Sequence, residues 1–180
     1  LQFMWDEIKE KTEANKLLWA VSYITIMSSV IGNKLKFYNN HAQPFVLLIG
    51  PTSSNKGTSC TLAIVMLKAG LGFELSNIMY NMGSGQNLPK ALAHIEVKGE
   101  FDDPNELAKA RLENPVNKVL IWSEFEEALS LGKQQGSTLH QKMNQAYDNS
   151  TLENNIKAEK WVADNYSLGV IAHTTPEALQ

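Results

Sequence analysis

The sequence predicts an α/β fold, with a mostly parallel central sheet, helices on both of its faces and an N-terminal helical segment. Three observations carry that prediction. Continuous apolar runs at Phe45 to Ile49, Val119 to Trp122 and Tyr166 to Ala172 suit strands covered on both faces. Stretches with apolar residues three or four positions apart separate these runs, as amphipathic helices require. Strands alternating with helices build parallel sheets, because each helix carries the chain back to the end where the next strand must start.

The chain has 180 residues and 43% hydrophobic content, enough for one sizeable core. We divide it into an N-terminal helical segment, 1–40, packed on a core domain, 41–180. Its formal charge of −3 provides no global basic field that would draw nucleic acid or an acidic membrane. Arg111 is the only arginine, so a bidentate phosphate clamp has to come from it or from outside the chain. The single cysteine, Cys60, lies in an apolar helical run, which fits a small core residue in a reducing cytoplasm. The apolar stretch around Leu17 to Ile31 is interrupted by Ser22, Tyr23, Thr25, Ser28 and Ser29 and falls short of the about 20 apolar residues of a membrane span. A start at Leu1 without a charged leader, and an end just past an apolar strand, are expected of a piece of a longer protein.

Taken in order, Leu1 to Ile31 reads as helix, with Leu17, Val21, Ile24, Met27 and Ile31 on the buried stripe. Leu35 to Tyr38 is a short strand candidate, and Phe45 to Ile49, between Pro44 and Gly50, reads as a central strand. Lys56 to Ala69 is a buried helix stopped by Gly70. Asn87 to Lys98, with Pro89 in its first turn, and Asn105 to Leu112 are helical. Glu124 to Leu131 and Thr138 to Tyr147 follow the second strand as helices, and Pro176 begins another after the third.

The first strand runs straight into Gly50, Pro51, Thr52, Ser53, Ser54, Asn55, Lys56, Gly57, Thr58 and Ser59, and then into a helix. A loop in that position aims successive backbone N–H groups and a helix N-terminus at one point, where an anion is favoured. Gly50, Asn55 and Lys56 keep the spacing of G-x-x-x-x-G-K-[ST], a phosphate-cradling loop whose lysine reaches the β and γ phosphates of a nucleotide. Asn55 replaces the second glycine and is tolerated because Asn visits left-handed backbone readily. Gly57 stands where a magnesium-binding hydroxyl is expected, leaving Thr58 as first candidate and Ser59 as second.

The second strand ends in Ser123 and Glu124. A carboxylate at the C-terminal edge of a neighbouring strand can orient an attacking water for phosphoryl transfer, and Ser123 can touch magnesium or its water. Against this, Glu124, Glu126 and Glu127 also read as the acidic first turn of a solvated helix. The third strand ends in His173, Thr174 and Thr175, either to sense a γ phosphate or to cap the next helix. His41, His94, His140 and His173 lack the spacing of a zinc site.

Together these pieces resemble the RecA-like P-loop ATPase domain of primase-helicase and replication proteins of phages, plasmids and other mobile elements. The resemblance rests on Lys56 to Ser59, the turn Gly83-Ser84-Gly85 before a helix, Ser123-Glu124-Phe125, Ala146-Tyr147-Asp148, and His173 to Glu177 with Leu179. It implies ATP and Mg2+ as cofactors, hydrolysis coupled to unwinding or remodelling of single-stranded or forked DNA, and a homo-oligomeric ring. Two positions depart from the family: Gln86 stands where its turn carries an acid, and an arginine is lacking near Asn144. The alternative expectation is a catalytically weak nucleotide-binding scaffold.

Overall fold

The computed structural model describes residues 1–34, 36–37, 40–41, 43–71, 74–93, 116–156 and 159–179. The predicted helix at Asn105 to Leu112, and with it Arg111, His94 and Lys98, lies outside them.

Helix α1 (Gln2–Ile8) continues into a 3-10 turn at Lys9–Lys11, and α2 (Lys16–Ile31) starts after an extended break. One continuous helix was the expectation. It breaks because Thr12 adopts extended backbone and Asn15 restarts the helix, its side chain accepting hydrogen bonds from the amides of Leu17 and Leu18. A two-residue strand pair, β1 (Lys36–Phe37) and β2 (Asn40–His41), is antiparallel.

Strand β3 (Phe45–Ile49) leads through the loop to α3 (Lys56–Leu71). Next come β4 (Ile78–Tyr80), α4 (Asn87–Leu92), β5 (Val116–Trp122), α5 (Phe125–Lys133) and α6 (Leu139–Tyr147). An antiparallel hairpin, β6 (Leu152–Ile156) and β7 (Glu159–Ala163), precedes the long strand β8 (Tyr166–Thr174). The helix expected after Thr175 is a single 3-10 turn, Glu177–Leu179.

Among the described residues the main sheet has four strands in the order β3-β8-β5-β4, all parallel. The last strand in sequence therefore sits between the loop strand and the strand that ends in Ser123. β8 holds an inner, central position beside β5 and is buried along its whole length. β3, expected there, is an edge among the described residues, with Leu47 and Ile49 exposed. The expected cover on both faces therefore fails for β3, whose Leu47 and Ile49 share the open face, and an apolar run carries no information about how many neighbours a strand has.

Alternation along β5 and β8 divides the core. Val119, Ile121 and Ile171 face α2 and α3, packing with Trp19, Ile26, Ala63 and Leu67. Leu120, Trp122, Leu168, Val170 and Ala172 face the other way, onto Leu88, Ala128, Leu139, Ala146 and Leu152. Gln43, buried under α6, donates through Nε2 to the carbonyl of Ala146 at 2.8 Å and accepts from the amide of Leu168 at 3.1 Å. It thereby pins the C-terminal end of α6 to the central strand.

The buried face of α2 differs from the predicted stripe. Leu17 is 70% exposed and Ile24 is also exposed, while Trp19, Ser22, Thr25, Ile26 and Ser29 are buried. The cause is close approach: a Cβ added at Gly169 of β8 would lie 1.9 Å from Ser29 Oγ and 3.2 Å from the carbonyl of Thr25. Small side chains let the helix lie on the strand backbone, and the Thr25 and Ser29 hydroxyls donate to the carbonyls of Val21 and Thr25. Among the described residues no helix is long and apolar enough to cross a membrane.

Candidate functional site

The C-terminal ends of parallel strands leave a crevice wherever neighbouring connections part, and binding sites form there. Here a cleft of about 650 Å³ opens at that edge. The loop after β3 and the start of α3 contribute Thr52, Asn55, Lys56, Gly57 and Thr58; the β5 side contributes Ser123, Glu124 and Glu126; and the β8 side contributes His173, Thr174 and Thr175. Residues separated by more than a hundred positions meet because β8 lies between β3 and β5, with Thr174 opposite Ile49 and Ala172 opposite Trp122.

The loop is built by local rules. A Cβ at Gly50 would come within 2.8 Å of Ser54 Oγ and displace that side chain, and the Gly50 amide donates to the carbonyl of Thr174, tying the loop to β8. Asn55 adopts the left-handed conformation, φ 55°, as expected at the position usually held by glycine. Lys56 opens α3 and is largely buried. Its ammonium donates to the carbonyls of Gly50 at 2.6 Å and Pro51 at 2.8 Å and to Ser54 Oγ at 3.3 Å. The cation thus folds back on its own loop.

Five loop residues of the predicted set do not line the cleft. Gly50, Pro51, Ser53 and Ser54 are four of them, and Ser54 Oγ instead accepts from the Lys56 ammonium. Ser59, the second magnesium candidate, is fully buried; its hydroxyl accepts from the amide of Asn15 at 2.9 Å and donates to the carbonyl of Asn55 at 2.7 Å. Those bonds hold it away from the cleft, so Thr58 is the hydroxyl left to face it.

Glu124 is the N-cap residue of α5, exposed and without a capping hydrogen bond. Glu126, read from sequence only as part of a solvated first turn, is held in place: Thr174 Oγ1 donates to its Oε1 at 2.5 Å. That hydroxyl, then its own backbone amide and that of Thr175, with Lys56 nearby, hold the Glu126 carboxyl below its ordinary value. Nothing local in the sequence pairs residue 126 with residue 174; only sheet register does. Tyr80, also missed, projects from the end of β4, a strand whose apolar run is too short to recognise. The turn after it is set by Asn81, φ 41°, whose side-chain oxygen accepts from the amide of Ser123 at 3.3 Å.

His173 is only 5% exposed, lines the cleft, and its Nε2 has no hydrogen-bond partner. Burial, and then the Lys56 charge, push its pKa below the ordinary histidine value, so the ring is neutral near pH 7. A buried imidazole nitrogen without a partner is costly unless something else completes it. Cys60 at the cleft floor is buried, and burial pushes its thiol up to about 11, which suits a packed core residue and not a nucleophile.

The cleft therefore combines backbone donors, one cation, hydroxyls and carboxylates. Among the described residues no three His, Cys, Asp or Glu side chains gather into a metal cluster. The oxygen donors Thr58, Ser123, Glu124 and Glu126 fit instead a hard cation brought in together with phosphates, which needs only one or two protein carboxylates. Comparison of the chain with protein-family models and with curated proteins finds no match.

Proposed function

We propose that the chain is a P-loop ATPase domain, a RecA-like motor of the kind found in replication helicases and primase-helicases, coupling ATP hydrolysis to unwinding or remodelling of DNA. The observation that carries this reading is a single cleft bringing the Lys56 loop together with Glu124, Glu126 and His173 across three parallel strands. Each group answers a need of phosphoryl transfer. The amides at the start of α3, from Asn55 to Thr58, cradle the phosphate tail. Lys56 leaves the carbonyls of Gly50 and Pro51 and turns its charge to the β and γ phosphates. Thr58 and Ser123 are the hydroxyls for Mg2+, which when bound neutralises phosphate charge. Glu124, free of structural bonds, orients the attacking water, while Glu126 supplies a fixed negative charge beside Lys56. His173, neutral and with Nε2 unspent, reports whether the γ phosphate is present.

In this reading the working form is a homo-oligomeric ring in the cytoplasm acting on single-stranded or forked DNA; those partners rest on the resemblance alone. A second reading, a nucleotide-binding scaffold with weak catalysis, draws on the ammonium of Lys56 being committed to its own loop and on Gln86 standing where the family has an acid. Steady-state ATPase assays with and without single-stranded DNA, on wild type and Lys56→Ala, separate the two. DNA-stimulated turnover abolished by the substitution supports the motor. Nucleotide binding without turnover supports the scaffold, and turnover indifferent to Lys56 refutes both.

A further inference from the structure

The phosphate loop is tied to a segment far from it in sequence. Asn55 Nδ2 donates to the carbonyl of Glu13 at 2.8 Å. One helical turn later Ser59 accepts from the amide of Asn15 and donates back to the carbonyl of Asn55. The strap Glu13 to Asn15 is thus sewn to both ends of the first turn of α3. In the second of these ties the Ser59 side is fully buried. Asn15 in turn caps α2, the helix that packs on α3 and crosses β8 and β5.

We propose that Asn55 is a positioning residue that couples nucleotide binding at the loop to the N-terminal segment, so that each end sets the stability of the other. The inference rests on the reading of the loop as a nucleotide site and adds how that site is regulated. Glycine would take the left-handed backbone at 55 more easily than asparagine does. What asparagine adds is the amide bond to Glu13. The neighbouring residue, Lys56, donates to the carbonyls of Gly50 and Pro51 and so braces the loop from within. A phosphate that takes over the ammonium frees those carbonyls, and the loop has to readjust about the Asn55 to Ser59 turn, the part fastened to the strap. Coupling between binding free energies is reciprocal: a strap that preorganises the loop for nucleotide is itself ordered by nucleotide. A partner that displaces residues 13–15 would then weaken nucleotide binding without entering the cleft.

The test is amide hydrogen exchange on the full chain, free and with magnesium and a non-hydrolysable ATP analogue, alongside calorimetry of the same analogue. In wild type the analogue slows exchange at residues 14–18. Asn55→Gly keeps the loop backbone and removes the tie. It is expected to exchange faster at 14–18 when free, to lose the slowing by nucleotide, and to bind the analogue about three- to tenfold more weakly, the range of one neutral hydrogen bond. Ser59→Ala, which removes the second tie, reproduces the loss of slowing. Wild-type binding with exchange at 14–18 that is indifferent to nucleotide or to both substitutions overturns the coupling alone. Silent calorimetry on wild type overturns the nucleotide reading and the coupling with it.

Discussion

The ammonium of Lys56 lies 2.6 Å from the carbonyl oxygen of Gly50, the residue that opens the same loop. The cation that the proposed function assigns to phosphate binding is therefore also bonded to its own loop. Lys56→Ala removes both roles. Nucleotide affinity falls by about 10- to 100-fold, the equivalent of the roughly 1.5–3 kcal/mol of hydrogen bonds to a charged group. Isothermal titration calorimetry reads this directly, and an unchanged affinity would remove the loop from the site.

Glu124 and Glu126 are separable. Glu124→Gln lowers turnover by roughly 10²- to 10⁴-fold, the usual range for loss of a positioned acid or base, with nucleotide affinity nearly unchanged. Single-turnover kinetics distinguish this from a binding defect. If Glu124→Gln turns over like wild type, the water-positioning role passes to another group.

Thr174→Val tests the anchoring of Glu126. Its carboxyl lies below the ordinary value chiefly because the Thr174 hydroxyl donates to it. A lowered pKa means the ionised form survives to lower pH, so losing the donor moves protonation to higher pH. The acid limb of the pH–rate profile shifts upward in the variant, and a superimposable limb would show that Glu126 does not govern it.

His173 makes stability depend on pH. Its folded-state pKa is below the ordinary 6.5, by burial first and the Lys56 charge second. Above 6.5 the ring is neutral both folded and unfolded and contributes nothing to the pH dependence. As pH falls from 6.5 toward the folded value, the unfolded chain takes up a proton that the folded ring resists, and stability drops before levelling off. Urea unfolding of His173→Asn compared with wild type across that window should lack this component, and parallel curves would contradict it.

Gly169→Ala tests the contact that lays α2 on the central strand. The added methyl would meet Ser29 Oγ, and the backbone of Thr25 behind it limits relief. Overpacking of this kind costs about 1–3 kcal/mol, and Ser29→Ala in the same chain recovers part of it. Chemical denaturation of the two single variants and the double variant measures the coupling.

The fold class was legible because its signals are local. The runs at Val119 to Trp122 and Tyr166 to Ala172 announce strands buried on both faces, and a glycine, a left-handed asparagine and a lysine in fixed order announce the loop. The faces of α2 were misread because an apolar stripe counts side-chain chemistry, whereas its packing is decided by how near Ser29 can come to a glycine on another element. β4 has three residues and the β6–β7 hairpin is flanked by polar segments, so neither carries a pattern strong enough to read.

By itself the sequence determined where the candidate site residues sit locally: Lys56 on its loop, Glu124 at a strand end, His173 at another. Periodicity and turn propensity act over a few residues, and these groups sit on elements defined at that range. Only the tertiary structure decided which of them meet. The insertion of β8 between β3 and β5 is a matter of long-range hydrogen-bond register, and it brings Thr174 to Glu126 and His173 toward Lys56. The packing of α3 against the N-terminal strap turned Ser59 from a candidate ligand into a buried tie to Asn15, because a hydroxyl has few bonds to give and these two take them.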